Sequence, residues 1–174
     1  GAGFEPIGTS SSPFSGSFDG RGYKITGLYI NRGSNDYVGL FGYADGATIQ
    51  NVGLVDGTIV GRDYTGGVVG ILGGTSSIAR ECYNTGSVTG GSYTGGVVGR
   101  LNGDSVTQCY NTGSVNGTNH TGGIVGYFYS GGISSCYWNT ETSGVSRGVG
   151  YGSTSGVFGK TTAEMMQQAT YVGW

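Results

Sequence analysis

The sequence has little charge, little proline and a single histidine. Eight Lys and Arg and ten Asp and Glu give a formal net charge of −2 over 174 residues. This balance excludes a nucleic-acid-binding face, which needs clustered Lys and Arg. No apolar run reaches the roughly 18 residues that a membrane-spanning helix needs. The chain has no signal peptide and starts at Gly1 without Met, which indicates a processed protein or a piece of a longer one.

Glycine and tyrosine are the residue types that this sequence has in abundance. The chain contains 40 Gly, 13 Tyr and 6 Phe. Gly at this density excludes a helical bundle, because each helical Gly costs about 1 kcal/mol relative to Ala. The glycines follow no every-third pattern, which excludes collagen, and the aromatic residues argue against disorder. The composition predicts one turn-rich, all-β domain.

Two phrases recur along the chain with one period. The phrase Cys-Tyr-Asn-Thr-Gly-Ser-Val begins at Cys82 and again at Cys109, and a shortened form begins at Cys136, so the spacing is the same both times. The phrase Gly-Gly-Val-Val-Gly, or Gly-Gly-Ile-Val-Gly in its last copy, recurs at nearly the same spacing. Its second glycines are Gly67, Gly96 and Gly123. A divergent copy begins at Gly39 and has Val52 in place of the cysteine.

A period of about 27 residues with short β-rich runs predicts a parallel β-solenoid (β-helix). One repeat cannot bury its own apolar face, whereas stacked repeats can. A β-propeller blade needs about 40–50 residues, which excludes that fold. We expect about three short strands per coil and four clear coils within residues 39–145. A divergent N-terminal region (1–38) and a C-terminal coil with a short capping helix (146–174) complete one continuous domain.

These phrases resemble the GLUG motif repeats of bacterial and archaeal surface proteins. The segments 18–25 and 159–166 resemble the lead-in and closing segments of such arrays. The resemblance implies a β-solenoid in an extracellular or cell-surface setting, as in adhesins and other large secreted proteins. It implies no reaction.

The recurring residues predict structural ladders. Cys82, Cys109 and Cys136 are expected to form a buried, unpaired column, since Val52 occupies the same level and parallel Cβ vectors suit a disulfide poorly. Asn84, Asn111 and Asn139 are expected to form a hydrogen-bonded ladder. Gly67, Gly96 and Gly123 are expected to need a positive φ or a close approach between coils. Tyr83, Tyr110 and Tyr137 are candidate surface contacts: they either stack on one another or bind sugars or a neighbouring solenoid.

The sequence predicts no catalytic, metal or cofactor site. His120 follows Tyr64 and Tyr93 in one column, which favours a ring stack over catalysis, and no partner phrase for a metal or a Ser-His-Asp triad occurs. The aspartates adjoin turn residues and are interpreted as turn caps. Asn116 and Asn119 begin N-x-Thr sequons and are candidate glycosylation sites. The pattern Thr161-Thr162-Ala163-Glu164 predicts the start of the capping helix.

The favoured function is a non-catalytic structural or adhesive element of a secreted or cell-surface protein. A self-assembling filament subunit is the first alternative, and a glycan-binding or glycan-active β-helix is the second. Partners could be a surface glycan, a protein ligand or further copies of the chain. If the strand is regular, one of two adjacent apolar columns is an exposed stripe that a neighbouring chain could cover, whereas a bend would turn both columns inward. Self-association through this stripe is favoured, and the solenoid ends could also support it. These columns are Leu40, Val68, Val97 and Ile124, and beside them Phe41, Val69, Val98 and Val125.

Overall fold

A computed structural model describes residues 1–172 and 174, without the side chain of Asp104. The described residues form 21 strands, most of them two to five residues long. The strands are β1 (Ser17–Asp19), β2 (Lys24–Thr26), β3 (Tyr29–Asn31), β4 (Phe41–Asp45), β5 (Thr48–Gln50), β6 (Gly53–Val55), β7 (Thr58–Val60), β8 (Thr65–Gly66), β9 (Val69–Gly73), β10 (Ile78–Arg80), β11 (Tyr83–Asn84), β12 (Ser87–Thr89), β13 (Ser92–Gly95), β14 (Val98–Thr107), β15 (Tyr110–Asn111), β16 (Val115–Asn116), β17 (Asn119–Gly122), β18 (Val125–Ser134), β19 (Cys136–Asn139), β20 (Val149–Tyr151) and β21 (Val157–Lys160).

These strands form a parallel β-solenoid of about five turns, which confirms the predicted fold class. The described strand pairs are parallel, and the register joins residues one repeat period apart, such as Tyr83 with Tyr110 and Val88 with Val115. The strands assemble into four sheets, of eight, six, four and three strands. The expectation of three strands per coil was therefore wrong, because each middle coil passes through four sheets.

The sheet containing β14, called the long sheet, meets the six-stranded sheet at a sharp corner that recurs in every coil. One residue there adopts a left-handed conformation, with φ of 55° at Asn51, 54° at Glu81, 51° at Gln108 and 51° at Ser135. A non-glycine residue at positive φ is uncommon, so this repetition marks a fixed feature of the coil. The corner turns the chain so that the residues after it start the next wall of the core.

The two apolar columns are both inside the solenoid. Leu40 is 3% exposed, and Phe41, Val68 and Val69 are fully buried. The chain bends between β8 and β9, where Gly67 and Val68 leave the extended conformation, so both consecutive side chains can face the core. The favoured alternative, an exposed apolar stripe, was therefore wrong, and the alternative of a bend that turns both columns inward is confirmed, because the alternation of a regular strand does not hold through this bend.

Both ends of the solenoid are covered by irregular segments. At the N-terminal end, Gly3 bridges to Ile30, and Ile7 bridges to Phe41. At the C-terminal end, β21 leads into helix α1 (Thr162–Met165) and then a 3₁₀ turn (Gln168–Thr170). The predicted capping box is confirmed: the Thr161 hydroxyl accepts from the Glu164 backbone N–H, and the Glu164 carboxylate accepts from the Thr161 N–H. Neither described helical segment has the length and hydropathy to cross a membrane.

Candidate functional site: ladders inside, aromatic columns outside

The cysteine column lies in the wall of the core. Cys82, Cys109 and Cys136 are buried and free. Each thiol points to a backbone carbonyl two residues back, as for Cys109 Sγ and Thr107 O at 3.3 Å. Burial first, and then the neighbouring thiols, raise the pKa of Cys109 well above its ordinary value. Because the thiolate is the reactive form, the buried Cys109 thiol is a poor nucleophile in the folded protein.

The asparagine ladder has two rungs rather than three. The Asn84 Nδ2 donates to Asn111 Oδ1 at 3.0 Å and to Gly86 O at 2.9 Å, and its Oδ1 accepts from Gly86 N–H at 3.1 Å. Asn111 makes the same pair of bonds with Gly113. These buried amides therefore close a turn and join two coils, as a buried polar group must.

The inclusion of Asn139 in that ladder was wrong. Trp138 is the register partner of Asn111, so the extra residue moves Asn139 one position onward. There Asn139 accepts from the backbone N–H groups of Glu141 and Thr142 and donates to the Thr162 hydroxyl at 2.9 Å. It fixes the start of α1 instead of extending the ladder.

The recurring glycines lie where neighbouring coils approach closely. A Cβ on Gly96 would overlap Gly123 O and lie 2.5 Å from the Asn111 amide, and a Cβ on Gly123 would lie 2.8 Å from the Trp138 side chain. A Cβ on Gly67 would overlap Gly96 O. None of the three has a positive φ. Of the two predicted reasons, close approach is the one that the structure supports.

The first aromatic column, called the covered column, consists of Tyr83, Tyr110 and Tyr137. The Tyr83 and Tyr110 rings stack with centroids 4.8 Å apart and planes 1° apart. Tyr137 is only 4% exposed, because the tail lies over it: Tyr171 packs edge-on at 5.2 Å, and Trp174 anchors by donating from Nε1 to Ser135 O at 3.0 Å. The prediction that Tyr137 is a surface contact was therefore wrong.

The second aromatic column, called the open column, consists of Tyr37, Tyr64, Tyr93 and His120. Successive ring centroids lie 5.3, 4.8 and 5.4 Å apart with planes within 19° of parallel. The stack expected for His120 is confirmed. All four residues have a left-handed backbone, with φ between 50° and 63°. The open column marks a second repeated corner, and its side chains are partly exposed.

Sequence reasoning missed a cluster on the outer face of the long sheet. Arg100 on β14, Tyr127 on β18 and Tyr151 on β20 are register partners in three adjacent strands. Tyr129 lies two residues beyond Tyr127 on the same strand. The signal that the sequence offered was the spacing of these residues. Tyr127 follows Arg100 by one repeat period, and Tyr129 follows Tyr127 by two residues.

The described carboxylates cap turns and pair with neighbours. Asp19 accepts from Asn51 Nδ2 and the Arg21 N–H, both at 2.8 Å, and from Gln50 Nε2 at 2.9 Å, which lowers the pKa of Asp19 to about 2. Asp36 forms a two-pronged ion pair with Arg62. Among the described residues, no three His, Cys, Asp or Glu side chains come close enough to hold a metal ion.

The two sequon asparagines lie in neighbouring strands and are exposed. Asn116 ends β16 and Asn119 begins β17. Both side chains are open to solvent at the corner between the four-stranded and three-stranded sheets. Their glycosylation stays a prediction.

A family model described as the GLUG motif matches residues 90–116. The chain therefore carries a GLUG motif over these residues. Among curated proteins, it is 46% identical over 78 residues to halomucin of Haloquadratum walsbyi, and 38% identical over 77 residues to a putative Gly-rich membrane protein of Evansella cellulosilytica. Each match covers 44% of this chain, but only 1% and 9% of the respective relative. No solved structure matches the chain.

The matched GLUG motif corresponds to one complete coil. It begins just before β13, contains the close-contact glycine Gly96, follows β14 through the long sheet and ends with β16. One motif thus supplies Cys109 to the cysteine column and Asn111 to the asparagine ladder. It also supplies Tyr93 to the open column and Tyr110 to the covered column.

Proposed function

We propose that the chain is a non-catalytic structural and adhesive segment of a cell-surface protein. The observation that carries this proposal is that every coil buries its ladders against the coils before and after it. A stack of this kind extends the protein along one axis at about 4.8 Å per coil. It also presents the open column of stacked rings across four successive coils.

The relatives support a surface setting. One is named halomucin and the other a putative Gly-rich membrane protein, and the GLUG motif lies within the stretch of repeats. The matched parts are small fractions of those proteins, so a repeated segment within a larger surface protein is the role that fits both. We therefore propose an extracellular location for this chain.

A glycan-active enzyme has less support. General acid–base hydrolysis of sugars needs two carboxyl groups facing one cleft. Here Asp19 is held by three hydrogen bonds and Asp36 by Arg62, and both have pKa values lowered by those bonds. Such carboxylates stay ionised and engaged, which suits turn capping.

A filament subunit that stacks end to end also has less support. The first strands of two sheets, β1 and β2, are only three residues long, and the exposed Asp19 and Lys24 lie on them. Short, charged edge strands discourage pairing with another chain. At the other end, α1 packs against β21. We expect a monomeric mass by light scattering, and long polymers would favour the filament alternative.

Single-molecule stretching tests the structural proposal. If each coil is held by its neighbours, pulling the ends apart should release coils in steps of about 90 Å, the extended length of one repeat. A Gly96→Val chain serves as a control with disrupted packing. Smooth extension of the native chain at low force would contradict a mechanical role. Antibody labelling of intact cells of the source organism tests the location, and labelling only after permeabilisation would contradict it.

A further inference from the structure

The outer face of the long sheet carries an arginine, Arg100, whose guanidinium lies among three tyrosine rings. The Arg100 Cζ lies 5.6 Å from the ring centroid of Tyr127, 5.5 Å from that of Tyr129 and 5.9 Å from that of Tyr64. Guanidinium groups in this position are attracted to the electron-rich ring faces. These three rings surround the guanidinium on this face of the sheet.

Arg100 lacks the polar partner that its environment demands. Its Nε is buried and has no hydrogen-bond partner among the described residues. Neither of the two ion pairs among those residues includes it, since they join Arg62 to Asp36 and Lys160 to Glu164. A buried, unpaired donor of a charged group is costly. A ligand arriving from solvent would meet the terminal Nη groups of Arg100, which are not buried without a partner.

The charge along the neighbouring open column becomes less negative toward this end of the solenoid. Asp36 and Asp63 directly precede Tyr37 and Tyr64, whereas Ser92 and Asn119 hold the corresponding positions before Tyr93 and His120. Asp36 is paired with Arg62, and the Asp63 carboxylate accepts from the Ser92 N–H at 2.7 Å. Of the two coils that flank Arg100, the one that contains Tyr127 therefore lacks an acidic residue at this corner, whereas the one that contains Tyr64 has Asp63 engaged by the Ser92 N–H.

The rings beside Arg100 are open to solvent. Tyr129 is 62% exposed and Tyr151 is 53% exposed. The Tyr151 ring stacks on Tyr127 at 5.0 Å with planes 7° apart, and β20 is the last strand of the long sheet. Within the part of the chain that the structure describes, no ring of a further coil covers the outer face of Tyr151. An exposed aromatic face next to a fixed polar group is the usual composition of a small-molecule site.

A β-bulge contributes to this arrangement. The register between β14 and β18 shifts after Leu101, which pairs with Phe128, so that Asn102 pairs with Ser130 and Tyr129 is left over. A bulge re-aims a side chain and often lies beside a functional site. Here the inserted residue is the tyrosine whose ring meets the Arg100 guanidinium.

We propose that Arg100, Tyr127, Tyr129 and Tyr151 bind a carboxylated sugar of an acidic polysaccharide. The guanidinium would hold the sugar carboxylate through two parallel hydrogen bonds, and the C–H face of the sugar ring would pack on an exposed tyrosine ring. The single cation selects for an anion, and the flanking rings favour a sugar over an acidic peptide. This inference rests on the adhesive part of the proposed function and is independent of the mechanical part.

Binding of oligogalacturonate to the intact chain, measured by calorimetry, tests the site. We expect Arg100→Gln to weaken binding by about tenfold or more and Tyr129→Ala to weaken it severalfold. The matched control is Arg80→Gln, an exposed arginine on the same sheet that donates to Gln50 at 2.9 Å; it should leave the affinity unchanged. Neutral dextran should not compete.

Three results would overturn the proposal. One is the absence of oligogalacturonate binding to the native chain, and another is an equal loss in the Arg80→Gln and Arg100→Gln chains, which would indicate general charge attraction. The third is equally tight binding of polyglutamate, which would make the ligand an acidic peptide. Melting temperatures separate a binding defect from misfolding, and Tyr129→Ala, an exposed position, keeps the test valid if Arg100→Gln does not fold. A negative result in this binding test would leave the expected stretching behaviour unchanged. The binding proposal and the mechanical proposal can therefore be contradicted separately.

Discussion

The open and covered columns arise from the same rule of repetition but differ in what lies over them. In both, rings stack about 4.8–5.4 Å apart, because coils rise by the spacing of parallel strands. The covered column ends beneath Tyr171 and Trp174. The open column ends at His120, which meets Tyr151 edge-on. The tail decides which tyrosines of this solenoid are available to a ligand.

The two columns also differ in the backbone that holds them. Tyr83 and Tyr110 lie in strands β11 and β15, where aromatic residues are favourable. Tyr64 and Tyr93 have φ of 56° and 63°, a conformation that costs an L-residue about 1–2 kcal/mol. The open column therefore maintains local strain in every coil, and its stacking and packing must offset that strain.

The largest expected effect comes from breaking the spacing on which both columns depend. We predict that Gly96→Val destabilises the fold by more than about 4 kcal/mol, because its side chain would overlap Gly123 O and the Asn111 amide. Tyrosine signals in near-ultraviolet circular dichroism and the thermal midpoint should both fall. Gly132→Ala is the control, since a Cβ there meets open space. An unchanged midpoint in Gly96→Val would contradict the close-contact role.

The next effect separates the two backbones. Tyr93→Val should cost about 2–4 kcal/mol, since it removes stacking with Tyr64 and His120 and places a β-branched residue at φ 63°. Tyr110→Val should cost about 1–2 kcal/mol, because Val suits a strand. Denaturant unfolding measures both. The loss of stability in Tyr93→Asn should lie between these two values, because asparagine tolerates the left-handed region. Equal losses in Tyr93→Val and Tyr110→Val would contradict the difference between the two backbones.

The period, the fold and the inner ladders could be read from the sequence because identical residues at one spacing must stack. The bend at Gly67 could not be predicted from the sequence, since a pair of adjacent apolar residues has the same composition whether one or both of them face the core. Asn139 was misplaced because a one-residue insertion shifts register without changing composition. Arg100 and Tyr129 were not predicted as site residues, because each occurs in one coil and the prediction rested on residues that recur. The proposed binding site therefore lies at departures from the period, whereas the proposed structural role rests on the period itself.

A smaller effect concerns the cover over Tyr110. Burial first, and then Tyr83 and Tyr171, raise the pKa of Tyr110 to about 12, above the ordinary value of about 10. The folded state thus keeps a proton that the unfolded state loses. Stability should be unaffected below pH 10 and should fall as the pH rises from about 10 to about 12. Tyr171→Ala should lower the pKa of Tyr110 and weaken this dependence, as followed by phenolate absorbance. Tyr23→Phe, at a 78% exposed position, should change neither.

The smallest effect is expected directly behind the covered column. Cys109 immediately precedes Tyr110 and faces the core, where Val52 fills the same level of an earlier coil. Cys109→Val should therefore change the free energy of unfolding by about 1 kcal/mol or less, as volume-conserving core exchanges do, and should leave the Tyr83–Tyr110 stack in place. Thiol titration of the native chain should find three reactive groups only after unfolding, one for each of the 3 cysteines. A large loss of stability in Cys109→Val, or a thiol that reacts in the folded chain, would mean that this column does more than fill the wall. In that case the outer rings and the inner thiols would have to be treated as one coupled unit, instead of as two sides of a strand that vary separately.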